Sequence, residues 1–296
     1  MGTPEFAVPS LEILLEHGYN VVGVVTAPDK PQGRGQKIEM SPVKAAAVKH
    51  NLNVLQPANL KSPEFLDTLR SLQANLQIVV AFRMLPEVVW SMPELGTFNL
   101  HGSLLPQYRG AAPIHWAVMN GEKETGVTTF FLKHEIDTGS IIYQDHEPIT
   151  YEDTVGSVYE RLMIRGAALV LKTVEAIGRG DAPAMPQQET QALKHAPKIF
   201  RETCEINWDR SSEEIRNFIR GLNPFPVAWT TLRGKTYKIL RARVELGGTG
   251  VPGTIDTDEK SFLKVRTRDG WIVIEELQPE GKRKMNVADF FRGNKL

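Results

Sequence analysis

The chain has 296 residues, 41% of them hydrophobic, and its 35 Lys or Arg are balanced by 35 Asp or Glu. Such a composition supports a real core, and the length suits one large or two ordinary domains. A single cysteine, Cys204, excludes an internal disulfide and fits a reducing, cytoplasmic location. No apolar run approaches the roughly 18 residues of a membrane-spanning helix, and Met1-Gly-Thr-Pro-Glu is not expected to act as a signal peptide.

In chain order, Ser10-Leu-Glu-Ile-Leu-Leu-Glu-His reads as a helix, and Val21 to Val25 as a continuous apolar run of the kind found in buried parallel strands. Ser41-Pro42 and Ser62-Pro63 each place a capping residue before a proline suited to the first helical position. Ile78 to Phe82 is a second buried-strand run. This alternation predicts a doubly wound α/β domain. Phe98-Asn-Leu-His-Gly-Ser-Leu-Leu-Pro106 begins as a strand and ends in a Gly/Pro turn. Residues at i and i+2 of a strand share a face, so Asn99 and His101 point the same way, where an open α/β sheet holds its ligands. An amide donor beside a titratable ring suits polarising a carbonyl and holding the oxyanion that forms on it. The bland alternative is that both merely satisfy backbone groups at a strand end.

Thr128 to Leu132 and Ser140 to Tyr143 predict a hairpin around Asp137-Thr138-Gly139, and a long helix is expected over about 154–177. Residues 181–206, rich in Pro and Gln, read as an extended surface linker. Beyond it Ser211-Ser-Glu-Glu carries a capping pattern. Short strand-like runs follow at Trp229, Thr236, Phe262 and Gly270, as in a small barrel of five or six strands, before a last helix capped by Asn286. Residues 201–296 hold 18 Lys or Arg against 14 Asp or Glu, a basic excess that favours a polyanionic partner. Arg241, Arg243, Lys264, Arg266 and Arg268 recur at i, i+2 spacings, as either a phosphate track or an ordinary solvated face. The seven His show no metal-ligand spacing, so no metal is expected.

The nine-residue string with the later Asp-Thr-Gly resembles the folate-dependent formyltransferase family, as do Arg109-Gly110-Ala111-Ala112-Pro113 and Gly126-Val127-Thr128. The likeness extends over almost the whole chain: Gly2-Thr-Pro-Glu-Phe-Ala, Asp29-Lys-Pro-Gln-Gly-Arg-Gly-Gln-Lys37, Ser41-Pro-Val-Lys44, Asn223-Pro-Phe-Pro and Pro252-Gly-Thr. It implies a Rossmann-like formyltransferase catalytic domain (1–180), a linker (181–206) and a C-terminal OB-like tRNA-binding β-barrel domain (207–296). It implies 10-formyltetrahydrofolate as donor, without metal, and the α-amine of initiator methionyl-tRNA as acceptor. The resemblance makes Asn99, His101 and Asp137 catalytic, Ser103, Leu104, Leu105 and Pro106 the folate contacts, and Arg34 with Lys37 contacts to tRNA. The chain is expected to act as a cytoplasmic monomer, off the membrane. A formyltransferase using a small amine such as a sugar nucleotide, and a non-catalytic folate- or RNA-binding protein, are the alternatives. The Gly-flanked Arg34 loop and the basic C-terminal third favour tRNA over a small acceptor. Two departures stand out. Ala81-Phe82-Arg83 replaces the family's Ala-Tyr-Gly, putting a bulky cation near the expected folate pocket. The family also has an apolar strand before Gly-Thr-Pro, so the sheet is expected to lack its first strand and the natural protein to begin upstream.

Overall fold

The computed structural model describes residues 1–32, 37–188 and 192–296. They form two compact units. One comprises Met1–Arg109, Gly126–Glu147 and Tyr159–Lys194; the other comprises Gly110–Thr125, Pro148–Val158 and His195–Leu296.

The first unit alternates helix and strand through α1 (Val8–Glu16), β1 (Val24–Val25), α2 (Pro42–Lys49), β2 (Val54–Leu55), α3 (Pro63–Ser71), β3 (Gln77–Val80) and β4 (Thr97–His101). Most of β5 (Glu124–Phe131), β6 (Ile141–Pro148) and the long α4 (Val155–Arg179) completes it. Ser41 caps α2 by accepting the Lys44 N–H at 3.1 Å. Ser62 makes no such bond, which leaves the pre-set φ of Pro63 as the start signal for α3. The strand order is β3-β4-β5-β6, with β3 parallel to β4 and β4 antiparallel to β5. The predicted hairpin of β5 and β6 is present.

The run Val21 to Val25 yields only the two-residue β1, which pairs in parallel with β2 as a separate sheet. Between β1 and β3 lie Met1 and Gly2. Gly2 donates to the Val25 carbonyl at 3.0 Å, and Val80 donates to the Met1 carbonyl at 2.9 Å. Farther along the two strands a cavity of about 540 Å³ separates them, lined by Leu14, Val22, Val24, Leu72, Ile78 and the buried, unpartnered hydroxyl of Ser10.

In the second unit the capping box of Ser211 and Glu214 starts α5 (Ser212–Gly221) as expected. The strands are β7 (Ala228–Leu232), β8 (Lys235–Leu246), β9 (Ile255–Thr257), β10 (Leu263–Arg266), β11 (Gly270–Pro279) and β12 (Met285–Asn286), followed by α6 (Val287–Gly293). Asn286 caps α6 through the Asp289 N–H. The antiparallel order is β7-β8-β11-β10-β9, with β12 added on β11. β7 and β9 end the sheet without pairing to each other, so the expected small barrel is an open, curled sheet. Its concave core gathers Ile215, Ile219, Tyr237, Ile239, Ile272 and Phe290, all at most 2% exposed.

The described residues of 181–206 are mostly irregular, but they are not free of the body. Met185 exchanges two backbone hydrogen bonds with Ile141, of 2.8 and 2.9 Å, at the edge of β6.

Candidate active site

Pairing on both sides fixes which way each residue of β4 faces. Phe98 and Leu100 go into the core, at 0% and 2% exposure. Asn99 and His101 take the other face, as the strand alternation requires. Asn99 is half-buried, and among the described residues its amide meets no hydrogen-bond partner. The amide is therefore open to a group brought to this strand face.

His101 is 7% exposed, with Nε2 2.9 Å from the carbonyl oxygen of Tyr108. A carbonyl can only accept, so Nε2 carries a proton and Nδ1 is the atom at which a proton is gained or lost. Nδ1 lies 3.9 Å from Asp137 Oδ2, within ion-pair range but beyond a direct hydrogen bond. The Phe130 ring stands edge-on to the imidazole at 6.4 Å between centroids.

Asp137 is brought to the ring by a turn of unusual backbone. Its φ is +55°, a left-handed conformation that Asp tolerates better than most residues. Two residues on, a Cβ added at Gly139 would sit 1.6 Å from the Phe131 carbonyl oxygen, so no larger residue fits. Gln187 clamps the turn. Its Nε2 donates to the carbonyls of Asp137 (2.8 Å) and Gly139 (2.9 Å). Arg109 holds the other end, donating to Gln187 Oε1 from Nε (3.2 Å) and from its terminal nitrogen (2.7 Å). Gln187 falls in the stretch read as linker, and no spacing in the sequence ties it to Asp137. The carbonyl of Tyr108 carries no sequence signal either.

The four expected folate contacts are not equivalent. Ser103 is fully buried and its hydroxyl donates to the Gln107 carbonyl at 2.7 Å. Thr128 Oγ1 donates to the Ser103 carbonyl (2.6 Å) and accepts the Leu105 N–H (3.1 Å). Gln144 Nε2 donates to the Leu105 carbonyl (2.9 Å). The Leu105 side chain packs into a small core with Phe130 and Ile141. Leu104 and Pro106 stay half-exposed. Leu105 therefore holds the loop from inside, while Leu104 keeps part of its side chain exposed.

Arg34 lies outside the described residues, and Lys37 is described only as the first residue of the short strand Lys37–Glu39. The strand pairs with Lys30–Gln32. At the base of this hairpin Asp29 accepts from Lys44 Nζ and, at 2.8 Å, from Gln56 Nε2. Hydrogen bonds from Lys44 and then Gln56 hold its carboxyl below the usual range. Arg83 turns to the neighbouring loop, donating to the carbonyls of Ala58 (2.9 Å) and Pro57, with its guanidinium over the Phe82 ring.

The cations of the second unit are largely engaged within it. Arg266 is 3% exposed and donates to the carbonyls of Gly247 and Gly248 at 2.6 and 2.7 Å, so it cannot line a phosphate track. Lys264 pairs with Glu245 and Asp256 and lies over the Trp271 ring. Arg268 pairs with Asp209. Arg241 and Arg243 share Glu275 but keep exposed side chains.

Among the described residues no group of three or more His, Cys, Asp or Glu could hold a metal ion. No described helix is long and apolar enough to cross a membrane.

Residues 1–174 match the family described as "Formyl transferase", and residues 198–295 match "Formyl transferase, C-terminal domain". The chain is similar to curated proteins called methionyl-tRNA formyltransferase. With the one from Parabacteroides distasonis it is 55% identical over 100% of this chain and 94% of that protein. With the one from Phocaeicola vulgatus it is 56% identical over 99% and 94%. Among solved structures, an N-formyltransferase from Helicobacter canadensis, in complex with folinic acid and dTDP-3-aminofucose, matches with a TM-score of 0.68 at 22% identity. That match covers 96% of this chain and 97% of the other, and it shows a shared fold.

Proposed function

The chain belongs to the formyltransferase family, and from that premise we infer that it transfers the formyl group of 10-formyltetrahydrofolate to the α-amine of initiator methionyl-tRNA. Relatives of that printed name, more than half identical over nearly the whole chain, support this acceptor. The observation that supports the site is the unpartnered amide of Asn99 on the same strand face as His101, whose Nδ1 faces Asp137 at 3.9 Å.

A C–N bond forms between the methionine nitrogen and the formyl carbon, and the bond from that carbon to the folate nitrogen breaks. The amine loses a proton, and the departing folate nitrogen gains one. Negative charge develops on the formyl oxygen. The free amide of Asn99 donates to that oxygen, a contact of a kind typically worth ~3–4 kcal/mol in the transition state. With Nε2 committed to the Tyr108 carbonyl, Nδ1 of His101 either donates to the same oxygen when protonated or passes a proton. Asp137 faces Nδ1 at 3.9 Å and orients the ring. Gln187 and Arg109 position Asp137 and do not themselves meet the reacting atoms.

The residues present fit a flat donor that supplies the formyl carbon. Leu104 and Pro106 offer half-exposed apolar surface, and Thr128 and Gln144 hold the loop that carries them. Ser103 and Leu105 act through the backbone of that loop. Arg34 and Lys37 reach the tRNA, and residues 207–296 form the domain that adds to its binding. In this reading the chain acts as a monomer, off the membrane. The buried free thiol of Cys204 supports a reducing cytoplasm.

The test is incubation with 10-formyltetrahydrofolate and charged initiator tRNA, scoring formyl-methionine. Formylation of a nucleotide-linked amino sugar instead would place the chain with the small-acceptor enzymes.

A further inference from the structure

Phe225 is the most exposed of the large apolar side chains among the described residues, at 77%. A lone exposed aromatic is ordinary. This one is set apart by how firmly its turn is held. Asn223 Nδ2 donates to the Leu240 carbonyl at 2.8 Å. Gly156 donates its N–H to the Asn223 carbonyl at 3.2 Å, and Val227 donates to the Leu222 carbonyl at 2.9 Å. His115 Nε2 lies 3.2 Å from the carbonyl of Phe225 itself. Val227 closes the turn at φ +77°, a conformation that β-branched residues seldom adopt and that persists only where the surroundings impose it. All these residues belong to the second unit.

The turn thus presents an aromatic ring to solvent on a braced backbone, so little further ordering would accompany a contact there. It also abuts β8, whose exposed cations include Arg241 and Arg243. Leu240, which accepts from Asn223, directly precedes Arg241, and the side chains of Arg241 and Arg243 are 69% and 58% exposed. Their shared partner Glu275 is itself partly exposed, at 36%, and ion pairs open to solvent exchange at little cost. An exposed aromatic beside exposed arginines is the arrangement by which proteins hold unpaired nucleotides: the ring stacks on a base and the cations meet the backbone.

We propose that Phe225 is a stacking platform for an unpaired nucleobase of the tRNA substrate, with Arg241 and Arg243 meeting the adjoining phosphates. The proposal rests on the reading that methionyl-tRNA is the acceptor. It adds a base contact in the second unit to the Arg34 loop of the first.

The test compares Phe225→Ala, Phe225→Leu and Phe225→Trp in the full chain, by equilibrium binding of initiator tRNA and by KM for it. Phe200→Ala serves as control, since Phe200 is a 54% exposed phenylalanine outside this turn. Stacking predicts about 5- to 150-fold weaker tRNA binding for the Ala variant, no recovery with Leu, and recovery with Trp. It predicts unaltered melting temperatures for all, and no effect of the control. Two outcomes would overturn the proposal: tRNA binding by Phe225→Ala within twofold of the unsubstituted chain, or Leu serving as well as Trp. If the unsubstituted chain does not formylate methionyl-tRNA at all, the functional reading itself fails, independently of Phe225.

Discussion

The turn around Asp137 and the cation-bearing sheet of the second unit are both polar surfaces, but they are built on opposite principles. Around Asp137 protein groups are spent on the backbone of the turn, and one side chain of the site, Asn99, is left open among the described residues. Gln187 takes up the carbonyls of Asp137 and Gly139, Tyr108 takes one side of His101, and the amide of Asn99 is left over. In the sheet, the cations are largely engaged within the protein. Arg266 is buried against two glycine carbonyls, Lys264 sits between two acids, and Arg268 pairs with Asp209. A group already matched inside the protein must be unmatched before it meets a ligand, and a buried one also exposes its neighbours. An unmatched group held on a rigid strand meets no such barrier. Reactive capacity therefore follows from what a fold leaves unpaired, and density of charge is a poor guide to it.

The comparison breaks most sharply at the catalytic turn. His101→Ala and Asp137→Ala are each expected to lower kcat/KM for methionyl-tRNA by at least ~100-fold while melting stays close to that of the parent, because each group acts in the transition state. Steady-state kinetics beside thermal melts would check this, and near-normal turnover in either variant removes that residue from the mechanism. A smaller effect is expected at Gln187, which positions without reacting. Gln187→Ala should cost about tenfold in turnover, as a loosened support does, and Gln187→Glu should not restore it, since its carboxylate would face two carbonyls. Unchanged turnover in Gln187→Ala would show that the turn holds Asp137 unaided.

The sheet offers the contrasting pair. Arg266→Gln should lower stability by about 1–3 kcal/mol through lost buried hydrogen bonds and leave the salt dependence of tRNA binding as it was. Arg241→Gln should do the reverse, sparing stability and reducing the slope of log affinity against log salt by about one. Denaturation and binding titrations at several salt concentrations separate the two, and equal behaviour would erase the distinction between buried and exposed cations.

The smallest effect concerns Asp269, which accepts from the Ser212 N–H at 2.7 Å and from its hydroxyl at 2.9 Å. Those hydrogen bonds, the backbone one foremost, hold its carboxyl below the usual carboxylate range. A carboxyl depressed in the folded state contributes stability that is present above its unfolded value near pH 4 and is lost as pH falls through the lower folded one. Asp269→Asn should therefore be less stable than the parent at neutral pH, with the gap closing on acidification below about pH 4. A gap that is constant with pH would mean that the charge is immaterial.

The face shared by Asn99 and His101 was legible because strand alternation is a local rule, and the Asp-Thr-Gly turn marked itself by its glycine. The partner at Gln187 was not legible, since a Pro- and Gln-rich stretch carries no periodicity and its contacts are set by tertiary docking. The cations of the second unit show the same limit. The i, i+2 spacing tells which residues share a face but not what packs over them, and two glycine carbonyls beside Trp271 decide that Arg266 is buried. Val21 and Val22 are apolar enough for a strand, yet strand structure needs a neighbour to pair with, and only Val24 and Val25 find one.

At the centre of this account, an unpartnered amide on β4 stabilises the charge that develops on the formyl oxygen. Single-turnover formylation by Asn99→Asp, with saturating 10-formyltetrahydrofolate and methionyl-tRNA, tests it most directly. The substitution keeps the shape and replaces a donor by an acceptor. The rate is expected to fall by at least ~100-fold, with tRNA affinity and melting temperature held near those of the parent. A rate within a few-fold of the parent would contradict the assignment and move the oxyanion contact away from Asn99.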